Sequence, residues 1–169
     1  LDSGCVRWAY RASAEVRTGI VVESPEVARA SNRAPRAYFG DLLSRLYAVD
    51  AFTGELAWMV RTDDHPNATL TATPALHDGV LYVSTSSLEV VLPGDPHYEC
   101  CTFRGSVQAV DAAKGAIKWK TYTVPQPPQE RGRTRDGTRI LAPSGAPVWN
   151  TPAVDAVRRG FRDAFPRAR

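Results

Sequence analysis

Cysteine is scarce in this 169-residue chain. Cys5 stands alone and Cys100 and Cys101 stand side by side, which excludes a scaffold tied together by many bridges. Long apolar runs are missing too. No stretch approaches the roughly 20 apolar residues that span a bilayer, so no membrane span is expected. No charged, apolar, small-residue leader reads as a signal peptide. The chain opens on Leu1 and its one methionine is Met59, so the natural start is expected upstream. No C-x-x-C-H haem motif occurs. No window of helical length carries apolar residues at i, i+3, i+4 and i+7.

What is present is ordinary for a globular domain, with 43% hydrophobic and 23% charged residues. The net charge of +3 conceals an abundance of arginine, much of it in "RGRTRDGTR" (131–139) and "VRRGFRDAFPRAR" (157–169). These arginines are interleaved with Pro, Gly and Ala, in neither a helical stripe nor a known binding motif, so no nucleic-acid partner is expected.

The chain repeats itself. "AVDAFTGELAW" (48–58) and "AVDAAKGAIKW" (109–119) share A-x-D-x-x-x-G-x-x-x-W, and "GCVRW" (4–8) keeps the G-x-x-x-W half. Each full copy reads as strand, turn, strand. Asp50 bonds the backbone ahead of it and Gly54 is free to take positive φ, with resumed strands at 55–62 and 116–124. "GVLYVSTS" (79–86) and "SVQAVD" (106–111) are also strands, rich in Val, Tyr and Thr. Short strands recurring at roughly 40–50 residues indicate a β-propeller. The fold class is therefore all-β: about three blades of a larger ring, with a long insertion near 87–103 and the repeat tryptophans packed between blades.

The tryptophan repeat, together with "FGD", "DDHP", "CCTFRGS", "WKTYT" and "PSGAPVW", resembles the eight-bladed propellers of the pyrroloquinoline-quinone (PQQ) alcohol dehydrogenases, most of all their polyvinyl-alcohol branch. The resemblance covers residues 1 to about 155. It implies a disulfide between Cys100 and Cys101 lying against the quinone plane, Arg104 facing the cofactor, and Ser144, Gly145 and Ala146 lining the same pocket. It further implies a Ca²⁺ ion with ligands outside this chain, an alcohol substrate, a c-type cytochrome as electron acceptor and a periplasmic location. The chemistry is consistent with this: Arg104 offers a planar, permanently charged fork for the carboxylates of PQQ. A vicinal disulfide suits an oxidising compartment.

The departures are equally specific. Lys114 stands where the family usually has Thr, and Pro147 stands where related dehydrogenases carry a calcium-binding Glu. The catalytic Asp of the family falls beyond this chain, so the chain alone is expected to be inactive. Residues 156–169 form an irregular, Arg-rich tail that reads like a frameshift.

Three further readings concern single residues. "DDHP" (63–66) is expected to be a turn rather than an acid–base set, because successive strand residues face opposite ways. His97, Glu99, Cys100 and Cys101 do not match the separated ligand pairs of structural zinc sites. Cys5 is expected to be a buried small apolar residue, His77 solvated beside an Asp78–Gly79 turn, and the Asn67 sequon unmodified. Two other hypotheses compete: a non-catalytic propeller acting as an envelope-assembly scaffold, and a remnant whose open edges prevent stable folding.

Overall fold

The computed structural model describes residues 4–155; the tail read from 156 onward lies outside them. Nearly every regular element is an antiparallel strand. Strands β1 (Val21–Val22), β2 (Arg36–Gly40), β3 (Arg45–Asp50) and β4 (Leu56–Arg61) form one sheet in that order. Strands β5 (Ala68–Thr69), β7 (Val80–Ser87), β8 (Ser106–Asp111) and β9 (Ile117–Tyr122) form the second, and β6 (Ala75–His77) also pairs with β7. A hairpin of β10 (Gln129–Arg133) and β11 (Arg139–Ala142) follows. Of the three blades expected, two are sheets of propeller type, and the third copy is represented by the stretch around Trp8, which forms no strand. The short α-helix Pro25–Ala30 is capped by the Ser24 side chain.

Strand alternation sorts the core into two layers. On β3, Leu46 and Ala48 face the second sheet and pack with Tyr38, Leu70, Leu81, Val83 and Val110. Tyr47 and Val49 face the other way, against Trp8, Tyr10 and Ala12. Those three take the inward positions of the N-terminal stretch. Cys5, expected to be buried, is therefore exposed.

The repeat is an inter-sheet joint. Asp50 Oδ1 accepts the Phe52 and Thr53 amides at 2.8 and 3.0 Å, and Asp111 Oδ1 accepts those of Ala113 and Lys114 at 3.0 Å each. Each turn then reaches a glycine at positive φ, Gly54 at 76° and Gly115 at 72°. The Trp8 ring lies over Gly54 and donates Nε1–H to Ala51 O at 3.2 Å; the Trp58 ring lies over Gly115 and donates to Ala112 O at 3.1 Å. Arg36 Nη1 and Tyr38 Oη also donate to Ala112 O, each at 3.1 Å, so three donors of the first sheet meet on one carbonyl of the second. Burial raises the Tyr38 hydroxyl above its ordinary range.

At the β6–β7 turn, Asp78 and Gly79 both take positive φ, 47° and 71°. That is the geometry of a two-residue type I′ hairpin. His77 is partly exposed there and lies 3.3 Å from Asp78. Among the described residues no helix is long and apolar enough to cross a membrane.

Candidate cofactor site

Cys100 and Cys101 are disulfide-bonded to each other, with a cis peptide between them. They begin an extended segment, 100–105, that runs parallel to 140–145, bridging Cys100 to Ile140 and Arg104 to Gly145. Leu141 N donates to Cys100 O at 2.6 Å and Cys101 N to Leu141 O at 3.2 Å. Farther along, Gly145 N donates to Phe103 O at 2.6 Å and Gly105 N to Gly145 O at 2.9 Å. Thr123 Oγ1 closes the pair, 2.9 Å from Gly105 O and 2.8 Å from Ala146 O. Gly105 is required here, because a Cβ would collide with the Ala146 carbonyl. All six residues expected at the site thus lie on two paired segments: Cys100, Cys101 and Arg104 on one, Ser144, Gly145 and Ala146 on the other. Ala146 is exposed and takes φ 48°, while the other five are half-buried.

Arg104 is held in place before any ligand arrives. Its guanidinium carbon lies 3.9 Å from the centre of the Tyr122 ring, and Nη1 donates to Pro125 O at 2.9 Å. Stacking on the ring leaves the remaining N–H groups of the fork available. Lys120 Nζ lies 5.0 Å from the same ring centre and is ion-paired with Asp63. Together with Asp64, His65 and Thr102 these groups line a cavity of about 260 Å³. Complete ligand pockets run to roughly 300–1,000 Å³, so this cavity is smaller than a complete site, and of the six expected residues only Arg104 lines it.

The "DDHP" stretch is the expected turn, with Asp63 Oδ1 accepting the His65 amide at 2.9 Å. A turn does not alternate, so Asp63, Asp64 and His65 all line the cavity. His65 Nδ1 accepts the Asn67 amide at 3.2 Å, and Nε2 lies 2.9 Å from Thr102 Oγ1. An Nδ1 that accepts leaves the ring hydrogen on Nε2, directed at Thr102. The Asn67 side chain is itself committed, donating to Tyr98 Oη at 3.0 Å.

Sequence reasoning missed Glu89. The stretch set aside as an insertion folds into two 3-10 turns, Leu88–Val90 and Leu92–Gly94, the first capped by Ser87. Glu89 is only 4% exposed. Its Oε1 accepts Thr102 N at 2.9 Å and Tyr98 Oη at 3.0 Å, and Oε2 accepts Phe103 N at 2.8 Å. Burial and this bond to Glu89 raise the Tyr98 hydroxyl above its ordinary range. An acidic residue inside "SSLEVVL" was the available signal: a carboxylate in an apolar run must find donors.

His97 is exposed and Glu99 pairs with Arg139 at 3.3 Å. Among the described residues no three His, Cys, Asp or Glu side chains group to hold a metal ion.

Residues 1–158 match the PQQ_2 family model, described as "Outer membrane protein assembly factor BamB". The chain is 38% identical to a polyvinylalcohol dehydrogenase of Sphingopyxis sp. (strain 113P3), over 93% of this chain and 24% of that protein. It is 34% identical to a polyvinylalcohol dehydrogenase of Pseudomonas sp, over 92% of this chain and 24% of the relative. The chain thus spans about a quarter of the length of these curated relatives. Among solved structures, a europium-containing methanol dehydrogenase superposes with a TM-score of 0.51 at 19% identity, covering 70% of this chain and 19% of that one. That likeness shows a shared fold.

Proposed function

The chain belongs to the PQQ_2 family of quinoprotein-type propellers, and on that premise we propose that it is one arc of a PQQ-dependent alcohol dehydrogenase. The observation that carries the reading is the disulfide-bonded pair Cys100–Cys101, two residues from a pre-positioned Arg104, on a segment whose Arg104 end lies against Gly145. These residues suit a planar polyacid. The paired sulfurs present a flat, polarisable surface, Arg104 supplies a fork for a carboxylate, and the glycine at 105 lets the backbone approach closely. Ser144 Oγ supplies a hydrogen bond at the rim, while the Gly145 N–H and carbonyl are spent on Phe103 O and Gly105 N and hold the two segments together. When bound, PQQ supplies the hydride acceptor, and Ca²⁺, held by ligands outside this chain, supplies Lewis acidity.

The chain's own share of the work is binding. Tyr122 and the Pro125 carbonyl hold Arg104, Thr123 ties the two segments together, and Lys120 with Asp63 closes the cavity wall across the sheets. The substrate is a secondary alcohol of the polyvinyl-alcohol kind, oxidised to a ketone, and a periplasmic c-type cytochrome takes the electrons. The propeller segment is residues 1–155, with the tail from 156 separate from it. A second reading, an envelope-assembly scaffold, is favoured by the description of the matching family model. It gives no reason for Cys100–Cys101 beside Arg104.

Reconstituting the full polypeptide with PQQ and Ca²⁺, and following dye reduction by a secondary alcohol, tests the proposal. Turnover that needs PQQ and falls at least about tenfold in Cys100→Ser/Cys101→Ser is expected, the loss of roughly 1.4 kcal/mol of cofactor or transition-state binding. No turnover by the reconstituted wild type with any secondary alcohol would sink it.

A further inference from the structure

We infer that Glu89 is a positioning residue that sets the placement of the Cys100–Cys101 floor relative to Arg104; the inference rests on the quinone-site reading above. The argument is geometric. Two residues, Thr102 and Phe103, separate the disulfide from Arg104, and the backbone amides of both donate to the Glu89 carboxylate, at 2.9 and 2.8 Å. The parallel partner segment bonds four different backbone groups, Cys100 O, Cys101 N, Phe103 O and Gly105 N. The floor is therefore stitched from two sides, one a strand and the other a single side chain.

That side chain is itself held firmly. Ser87 Oγ accepts the Glu89 amide at 3.0 Å, and Ser87 in turn donates to Asn67 O at 2.9 Å. Tyr98 Oη donates to Glu89 Oε1, and Thr102 Oγ1 lies 3.4 Å from the same oxygen. With Thr102 donating there, His65 Nε2–H donates to Thr102 Oγ1 at 2.9 Å, which extends the chain of bonds to the "DDHP" turn. Phe103 beneath the segment is 1% exposed and packs edge-on to His65, with ring centres 5.4 Å apart. A buried carboxylate with charge-assisted bonds to two successive amides is a stronger and more directional anchor than neutral contacts.

Charge and acceptor count both matter, so Glu89→Gln is the informative change. Its Nε2–H₂ group would face an amide N–H, donor against donor, where an oxygen now accepts. Two quantities are measured in the full polypeptide: the Kd for PQQ by equilibrium dialysis, and the dithiothreitol concentration that half-reduces Cys100–Cys101. Thermal melting runs alongside. In Glu89→Gln the expected result is a rise in Kd of roughly tenfold or more, the loss of one charge-assisted hydrogen bond, with half-reduction at several-fold less dithiothreitol. Glu26→Gln, an exposed carboxylate on the short helix Pro25–Ala30, leaves both at the wild-type value. Tyr98→Phe removes a single donor to Glu89 and serves if Glu89→Gln does not fold, moving both quantities in the same direction by a few-fold.

A folded Glu89→Gln with a lower melting temperature but wild-type Kd or wild-type half-reduction overturns the inference, since Glu89 would then merely hold the loop. If the wild type binds no PQQ, the proposed function fails separately, and the half-reduction measurement alone decides for or against Glu89.

Discussion

The indole of Trp58 lies so close to Gly115 of the neighbouring sheet that a Cβ there would come within 2.8 Å of the ring, while Nε1–H donates to Ala112 O at 3.1 Å. Trp8 stands in the same relation to Gly54. The repeat in the sequence is thus the contact that joins one blade to the next, and its glycines are fixed by both conformation and space.

Gly115→Ala should therefore cost more than Gly79→Ala. Both glycines have positive φ, 72° and 71°, but nothing lies within 4 Å of a Cβ at Gly79. Gly79→Ala should lose about 1–2 kcal/mol from the left-handed backbone alone, and Gly115→Ala a further ~1–3 kcal/mol from overpacking against Trp58. Urea midpoints of the two variants check this; equal losses would mean that the docking carries no energy.

Asp111 supplies the pH dependence. Burial pushes its carboxyl up, but the hydrogen bond from Lys118 and those from the Lys114 and Ala113 amides outweigh this, so it titrates below the ordinary 3.8. A depressed folded value means a contribution fully present above the unfolded value and lost as pH falls through the folded one. Asp111→Asn should accordingly be less stable than wild type at pH 7, and the gap should narrow below about pH 3.8. Denaturant midpoints across pH 2–7 read this directly. A gap that is constant with pH would contradict it.

Lys120 of β9 reaches across to Asp63 beyond β4, with side chains 21% and 8% exposed. Asp63→Ala strands a partly buried cation and should cost about 1–3 kcal/mol, less than a fully buried pair because Lys120 keeps some water. Adding Lys120→Met should recover part of the loss. A double-mutant cycle measures the coupling, and additive losses would show that the pair does not join the sheets.

Gly105→Ala tests the site separately from the core. Its Cβ would strike the Ala146 carbonyl and push the 100–105 segment off its partner. Cofactor retention should drop at least about tenfold, more steeply than stability, because the displaced segment carries Arg104 itself, whereas overpacking typically costs ~1–3 kcal/mol. PQQ content after gel filtration, set against the melting temperature, distinguishes the two effects.

The sheets were legible because their signals are local. Asp78–Gly79 names its turn type, and β3 shows its two faces by simple alternation. The docking tryptophans were legible because the motif recurs. The pairing of 100–105 with 140–146 could not be read from spacing, since the partners are far apart in sequence and the intervening β9 and hairpin leave no periodic trace. Glu89 was hidden for the same reason: its donors come from a later loop. Cys5 was misread because its neighbours Trp8, Tyr10 and Ala12, not Cys5, occupy the inward positions. The convergence of Asp63, Asp64 and His65 was missed because strand alternation was applied across a turn.

The most direct measurement is equilibrium dialysis of PQQ against the full polypeptide, wild type beside Cys100→Ser/Cys101→Ser. The account predicts one PQQ per chain in the wild type and at least about tenfold weaker binding without the disulfide, a change of roughly 1.4 kcal/mol. Saturable binding of equal strength in both proteins, or none in either, would contradict the claim that this cysteine pair is the floor of a quinone site.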